Sequence, residues 1–353
     1  MKPWERDFEE LKEDLKHCHW SDWSEFKWKR LTKHIEKTLR RSGGIDYLVF
    51  PPDFRWQLCS SRLSQGKFHN WDGWEFRSNW SITFQGYNGG PKSGMVPKWK
   101  GDKVKRLVIA CEQGVGDEII YSSAIPELIV RLGHEALELQ CHPRLFEIFK
   151  RSFRIKVSPR RVLSQIDGEA VVALADLFMF YRRDKTHFPK KPFLKADPVL
   201  VEKYRKILEK YPKPWIGVAW GSRKGVIDPE IFCKEALKKY GGTLFDVQYK
   251  LTEFEYPAKP DFVVDLGVDM TEDKESEFAV VSCLDRVVSV TQTLVHIAGS
   301  QGVLCDVIKP SKGTGKVNTQ LWYYGLGGSP HDHLVYGNMR VFESPDDWRS
   351  HES

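Results

Sequence analysis

From Arg106 to Ile308, short apolar runs that read as buried strands alternate with longer stretches of helical periodicity, and this alternation most restricts the fold. Strand, helix and strand in succession pack as a β-α-β unit, so the chain is expected to form mostly parallel sheets covered by helices. The first unit is the sharpest. Arg106–Cys111 reads as a buried strand and Gln113–Gly116 as a glycine loop. Asp117–Leu132 then reads as a helix, with Ile119, Ile120, Ile125, Leu128, Ile129 and Leu132 on one face and Gly133 at the stop position. Open α/β sheets bind ligands beyond the carboxyl ends of their strands, which is where Glu112, Gln113, Gly114, Gly116 and the Asp117 carboxylate fall. The glycine spacing is not G-x-G-x-x-G, so a dinucleotide fingerprint is absent. Read by itself, the loop is either a site or a turn in which Asp117 caps the helix.

Downstream, Ala136–Cys141 reads as a strand, and Pro143 starts a helix where its missing N–H costs nothing. Arg154–Val157 and Ala170–Ala175 are further strand runs. A helix over Val199–Tyr211, closed by Pro212 and Pro214, bridges to a second unit of the same kind. That unit opens with strand Trp215–Trp220 and loop Gly221–Gly225, after which Asp228 caps a helix with Pro229 in its first position. Strands are expected at Thr243–Gln248, Phe262–Asp265, Arg286–Val290 and Val303–Ile308, and helices at Glu275–Leu284 and Leu294–Gln301. Val341–Phe342 makes a last short strand or a core contact. Two such halves imply a cleft, which the loops Gln113–Asp117, Gly221–Gly225 and Val290–Thr293 can face.

The first hundred residues differ in texture. They hold nine of the 13 tryptophans, and from Trp20 to Arg41 apolar residues at helical spacing are interleaved with seven lysines and arginines. Basic residues among tryptophans can track a nucleic-acid backbone and stack bases; the plain alternative is an amphipathic helix whose tryptophans pack inward. Tyr87–Gly94, rich in glycine and without periodicity, reads as a linker. The expected division is 1–95 helical and Trp-rich, 96–205 first α/β domain, 206–335 second α/β domain, and 336–353 tail.

With 353 residues the chain exceeds one ordinary core. No apolar run reaches the roughly 18 residues of a membrane span, and the charged start Met1–Asp7 lacks the apolar stretch of a signal peptide, so a cytoplasmic protein is expected. Seven cysteines stand singly, without a Cys-x-x-Cys pair, as in a reduced protein without a disulfide framework. His17-Cys18-His19 puts its side chains in different directions on a helix, and His331-Asp332-His333 has unsuitable neighbours, so no metal is expected. A net charge of +6 is compatible with a phosphate-bearing or nucleic-acid partner without singling one out.

Several blocks carry a resemblance in a fixed order: Pro97–Gly101 followed by Leu107–Glu118 with its Glu-Gln-Gly-Val-Gly-Asp loop, then Phe193–Pro198, then Ile216–Trp220, then Leu284–Val290 with His296–Gly299. Ser61–Trp80 adds a Gly-x-Phe and Trp-x-Phe-Arg-x-x-Trp pattern. Over roughly residues 60 to 345 the chain resembles the GT-B glycosyltransferases that follow tetratricopeptide repeats in bacterial and phage proteins, a heptosyltransferase-like (glycosyltransferase family 9-like) group. The resemblance implies two Rossmann-like domains facing across a cleft, preceded by a helical, degenerate tetratricopeptide-like region. It also implies metal-independent transfer of a hexosyl or heptosyl group from a nucleotide-sugar, a UDP-sugar being favoured, with no cofactor.

Carried over residue by residue, the resemblance makes Asp117 the catalytic base; because the second unit has its own candidate phosphate sites, Glu112, Gln113, Gly114 and Gly116 are expected to form the acceptor-side loop. Arg223 and Lys224 fall where a cation meets the donor phosphates, in a donor-side loop that begins with Gly221 and Ser222, and His296 matches the histidine of an Asp-Thr-x-x-x-His motif. In that motif this chain has Thr291-Gln292-Thr293 in place of Asp-Thr, leaving hydroxyls and amide N–H groups to hold a diphosphate at a helix start. Gln248, at a strand end, can face the nucleotide. The acceptor is open among a glycan, a protein and a hydroxylated DNA base. Other classes compatible with the residues are a non-catalytic GT-B-like binding or scaffold protein and another two-Rossmann enzyme, such as an epimerase or phosphorylase.

Overall fold

The computed structural model describes residues 96–111, 113–160, 167–222, 225–250, 255–309, 323–324 and 331–351, with scattered positions between 33 and 74. Its framework is two separate parallel sheets. The first contains β1 (Leu107–Ala110), β2 (Leu137–Cys141), β3 (Lys156–Pro159) and β4 (Ala170–Ala173), in the order β3-β2-β1-β4. Leu107 is level with Leu137 on one side and with Ala170 on the other. β1 and β4 are buried at every position, which is why they read as unbroken apolar runs and not as alternating ones. Before β1 the chain runs along β4: the Trp99 N–H donates to the Val171 carbonyl at 2.8 Å, and the Val171 N–H to that of Pro97 at 2.9 Å.

Helices α1 (Val115–Tyr121) and α2 (Ile125–Leu132) join β1 to β2, and α3 (Phe146–Phe153) joins β2 to β3. The single helix expected over Asp117–Leu132 therefore starts two residues earlier and is interrupted by a 3-10 turn at Ser122–Ala124. Pro126 has no N–H to return to the Ser122 carbonyl, which takes the Ile125 N–H instead. After β4 comes α4 (Leu177–Tyr181). Trp71 and Trp74 meet edge-on at 5.0 Å and pack against Phe178 and Tyr121, with their indole N–H groups on the Arg182 and Ala175 carbonyls, each at 3.1 Å. These two tryptophans are core aromatics; the basic stretch from Trp20 to Arg41 lies almost wholly outside the described residues.

Asp197 caps α5 (Pro198–Leu208) by accepting from the Val199 and Leu200 N–H groups at 2.8 and 3.3 Å. Next come β5 (Trp215–Ala219), a small antiparallel ladder of β6 (Gly221–Ser222) and β7 (Gly225–Val226), and α6 (Pro229–Tyr240), capped by Asp228 as expected. Then follow β8 (Thr243–Asp246), α7 (Lys274–Cys283), β9 (Arg286–Val290), α8 (Thr293–Gln301), β10 (Leu304–Ile308), β11 (Met339–Phe342) and α9 (Pro345–Ser350). The second sheet runs β11-β10-β9-β5-β8, every pair parallel. Phe262–Asp265, expected as a strand, contributes one bridge only, between Phe245 and Val264. The Asp265 carboxylate accepts the Gly267 N–H at 2.8 Å and turns the chain away before a ladder can extend.

The tail is built into this sheet by a buried carboxylate. Asp306 on β10 is inaccessible to solvent and accepts from Arg286 of β9 at 3.1 Å, from Arg340 of β11 at 2.9 and 3.1 Å, and from the Trp348 indole of α9 at 3.2 Å, with the Tyr240 hydroxyl completing the set. In both sheets the chain leaves a central strand on one side and later returns on the other, at β1/β4 and at β5/β9. The crevices at the carboxyl ends of those pairs are where parallel sheets bind ligands.

Candidate active site

A pocket of about 350 Å³ lies at those carboxyl ends, lined by Gly114, Val115, Gly116 and Asp117 from the first sheet's side and by Ser222, Tyr249, Tyr256, Thr291, Gln292, Thr293, His296, Tyr323 and Tyr324 from the second's. Residues that follow β1, β5 and β9 thus contribute to its lining.

On the first wall, Gly114 caps α1 with extended backbone, and its N–H donates to the Asp117 carboxylate at 3.3 Å. Asp117 is therefore the third residue of the helix and not its opening residue. It closes the first turn while lining the pocket, so capping and facing a ligand are compatible at this position. Gly116 is where the two walls touch. A Cβ there would lie 3.0 Å from Cδ2 of His296 and 3.5 Å from Oγ1 of Thr293, so a larger residue would press on the imidazole where the starts of α1 and α8 meet. The next residue, Glu118, is buried and directed elsewhere. It accepts the His142 N–H at 3.0 Å and pairs with Arg160, whose guanidinium also holds the Gln113 carbonyl. Burial pushes the Glu118 carboxyl up to about 7, against the opposing pull of Arg160 and the His142 N–H. No local pattern singles out this pair, because Arg160 enters from the end of β3.

On the second wall, α8 begins at Gln292, whose extended backbone provides no side-chain cap, and its first turn holds no acidic residue. The Gln292 amide donates to Ser289 Oγ at 3.2 Å, and its Oε1 is buried with no hydrogen-bond partner among the described residues. A helix start with uncapped N–H groups and the positive end of the helix dipole is a receptor for an anion. Thr291, Thr293 and Ser222 line the same pocket. The tyrosines come from outside the expected loops. Tyr249 follows the end of β8 and has the buried Lys274 ammonium 4.8 Å from its ring centroid. Tyr323 is carried in by the tail, where the Leu334 N–H donates to its carbonyl at 3.1 Å. Burial and then neighbouring charges, Asp117 among them, push the Tyr323 and Tyr324 phenols well above their usual range.

Of the expected donor-side residues, Ser222, Thr291, Gln292, Thr293 and His296 come together here. Gln248 and Gly221 do not. The Gln248 amide accepts from the Trp220 and Gly221 N–H groups at 2.9 and 2.8 Å and donates to the Gly221 and Tyr249 carbonyls at 2.8 and 2.6 Å. Its hydrogen-bonding capacity is fully used, so it holds the loop from behind. Gly221 lies against the Tyr256 ring, 2.7 Å from where a Cβ would stand. Glu112, Arg223 and Lys224 lie outside the described residues. Among the described residues no group of three His, Cys, Asp or Glu side chains is placed to hold a metal ion, and no helix is long and apolar enough to cross a membrane.

No protein-family model matches the chain. It is similar to protein FlbA of Caulobacter vibrioides, 26% identical over 260 residues, which are 64% of this chain and 44% of that protein; the chain thus spans less than half the length of this curated relative. Among solved structures it is similar to the iron-containing dodecameric glycosyltransferase TibC of enterotoxigenic E. coli (11% identity, 61% of each chain covered, TM-score 0.43). It is also similar to a family 9 glycosyl transferase of Veillonella parvula (11% identity, 70% of this chain and 88% of that one, TM-score 0.47). A third is the E. coli ADP-heptose lipopolysaccharide heptosyltransferase II (10% identity, 67% of this chain and 90% of that one, TM-score 0.44).

Proposed function

We propose that this chain is a metal-independent glycosyltransferase of GT-B architecture, transferring a sugar from a nucleotide-sugar to a hydroxyl acceptor with Asp117 as general base. One observation carries the reading: a carboxylate at the carboxyl end of β1 and an uncapped, acid-free helix start after β9 line the same pocket between two parallel sheets. These are the two groups that sugar transfer requires, and the ordered sequence blocks point to the same chemistry.

In the reaction, the acceptor oxygen bonds to the anomeric carbon while its proton passes to the Asp117 carboxylate. The bond from that carbon to the diphosphate oxygen breaks, and its electron pair leaves on the diphosphate. Negative charge therefore develops opposite Asp117, against the first turn of α8 and the hydroxyls of Ser222, Thr291 and Thr293. Residues 96–205 hold the acceptor and residues 206–335 the donor, with Arg223 and Lys224 as cations for the departing diphosphate. UDP-sugars are the first donors to test.

The test measures turnover and binding of UDP-, GDP-, ADP- and CMP-sugars, ADP-heptose included, by the full chain and by Asp117→Ala. Transfer abolished in the variant with donor binding retained supports the reading, and binding of no donor overturns it. Donor bound but transferred to no acceptor identifies a binding protein. Acceptors are compared as glycan, protein and hydroxymethylated DNA; for DNA, binding must weaken steeply with salt.

A further inference from the structure

We propose that Tyr336 is a positioning residue for His296: its hydroxyl donates to Nδ1, so that the imidazole presents Nε2–H to the pocket as a hydrogen-bond donor. This rests on the reading of the pocket as a nucleotide-sugar site.

The segment His331-Asp-His-Leu-Val-Tyr-Gly337 is shaped by a histidine. His333 is fully buried, and its Nδ1 accepts the N–H groups of Val335 and Tyr336 at 3.0 and 3.2 Å. A nitrogen that accepts twice carries no proton, and burial holds the ring in its uncharged form. The turn so formed stacks the His333 ring on that of Tyr336, with centroids 4.8 Å apart and planes 26° from parallel. Tyr336 in turn lies on Gly299 of α8, where a Cβ would meet its ring at 2.5 Å. Gly299 and His296 are three residues apart and so share one face of the helix. The glycine therefore lets the phenol lie flat against α8, and its Oη comes within 3.3 Å of His296 Nδ1.

The direction of this bond follows from the proton count. Tyr336 is 1% exposed, and His296 is the hydrogen-bond partner of its hydroxyl among the described residues. A buried phenol O–H requires an acceptor, and the Nδ1 lone pair supplies it. Burial, and then the charges of Tyr324 and Asp117, keep the phenol from ionising. The imidazole proton then resides on Nε2. Cδ2, the neighbour of Nε2 in the ring, is the atom facing Gly116, and His296 lines the pocket beside Thr293. His296 in this form is a donor to an anionic oxygen and not a proton acceptor, which separates its role from that of Asp117 across the pocket.

The bond is tested by ¹⁵N NMR of the full chain with labelled histidine, His296 being assigned by its loss in His296→Gln. The expected spectrum has Nε2 protonated and Nδ1 unprotonated and hydrogen-bonded, with Nδ1 moving to an unbonded position in Tyr336→Phe. A proton on Nδ1 in the wild type, or a His296 signal unchanged in Tyr336→Phe, overturns the proposal. In the transfer assay Tyr336→Phe is expected to lower kcat about tenfold, with the donor KM within about twofold. A wild-type kcat in that variant also overturns it. His296→Gln, which retains an N–H donor without needing a tautomer, is expected to abolish the effect of Tyr336→Phe in the double variant, and full additivity counts against the proposal. Absence of turnover with every donor in the wild type defeats the reading of the pocket, whereas the NMR result still decides the hydrogen bond.

Discussion

The starts of α1 and α8 occupy equivalent places, each just beyond the carboxyl end of a central strand of its sheet, and they carry opposite chemistry. α1 has Asp117 and Glu118 in its first turn, and Asp117 closes back on the Gly114 N–H. α8 has no acid in its first turn and no side-chain cap. One helix start supplies its own negative charge, and the other keeps the positive end of its dipole without one. Gly116 brings the two within contact, so a single pocket has a carboxylate on one wall and an acid-free helix start on the other. Two helix starts with extended caps thus differ in charge through the residues of their first turns.

The largest expected effect comes from removing the contrast itself. Asp117→Ala should lower kcat by about 10²- to 10⁴-fold with donor affinity changed only a few-fold, as steady-state kinetics and calorimetry would show. Equal losses in both quantities would mean that the carboxylate serves the turn alone. Next in size, Asp306→Ala strips the charge partner from Arg286 and Arg340 and should destabilise the folded chain by about 3–5 kcal/mol in denaturant titrations. Because Asp306 does not line the pocket, unfolding of the second sheet can thereby be told apart from a change at the pocket itself.

A pH effect is expected from Glu118. Its carboxyl is raised from 4.5 to about 7, so between those values the folded chain keeps a proton that the unfolded chain has released. Stability should therefore fall as pH rises through that window, by up to about 3 kcal/mol, and level off above it. Urea midpoints from pH 5 to pH 8 would reveal the slope, and Glu118→Gln should flatten it. A slope that persists in the variant assigns the proton elsewhere. The smallest effect concerns the contact between the walls. Gly116→Ala gains helix propensity but places a methyl 3.0 Å from His296 Cδ2, so the melting point should hold or rise slightly while donor KM increases several-fold, roughly 1 kcal/mol.

Much of this arrangement is legible locally. Buried parallel strands are continuous apolar runs and their helices repeat every three to four residues, so both units, and the loops that end β1, β5 and β9, can be read from neighbours in the chain. Asp228 and Pro229 mark the start of α6 for the same reason. The failures have equally specific causes. Phe262–Asp265 has the composition of a strand, yet the Asp265 turn permits only one bridge. Gln248 has the right address at the end of β8, but its amide is consumed by the Trp220–Gly221 backbone. Glu118 adjoins Asp117 and belongs to a different network, because consecutive helical residues point in different directions.

By itself, then, the sequence determined two β-α units, the strand ends where a ligand can lie, and a carboxylate at one of them. It could do so because strand burial, helix periodicity and capping are settled within a few residues of each position. Tertiary structure alone decided that Gly116 meets His296, that Tyr249, Tyr256, Tyr323 and Tyr324 form the pocket's aromatic lining, and that Tyr336 reaches back over Gly299 to the imidazole. Those contacts join residues far apart in the chain, and their geometry depends on how the sheets and the returning tail pack together, which no local pattern encodes.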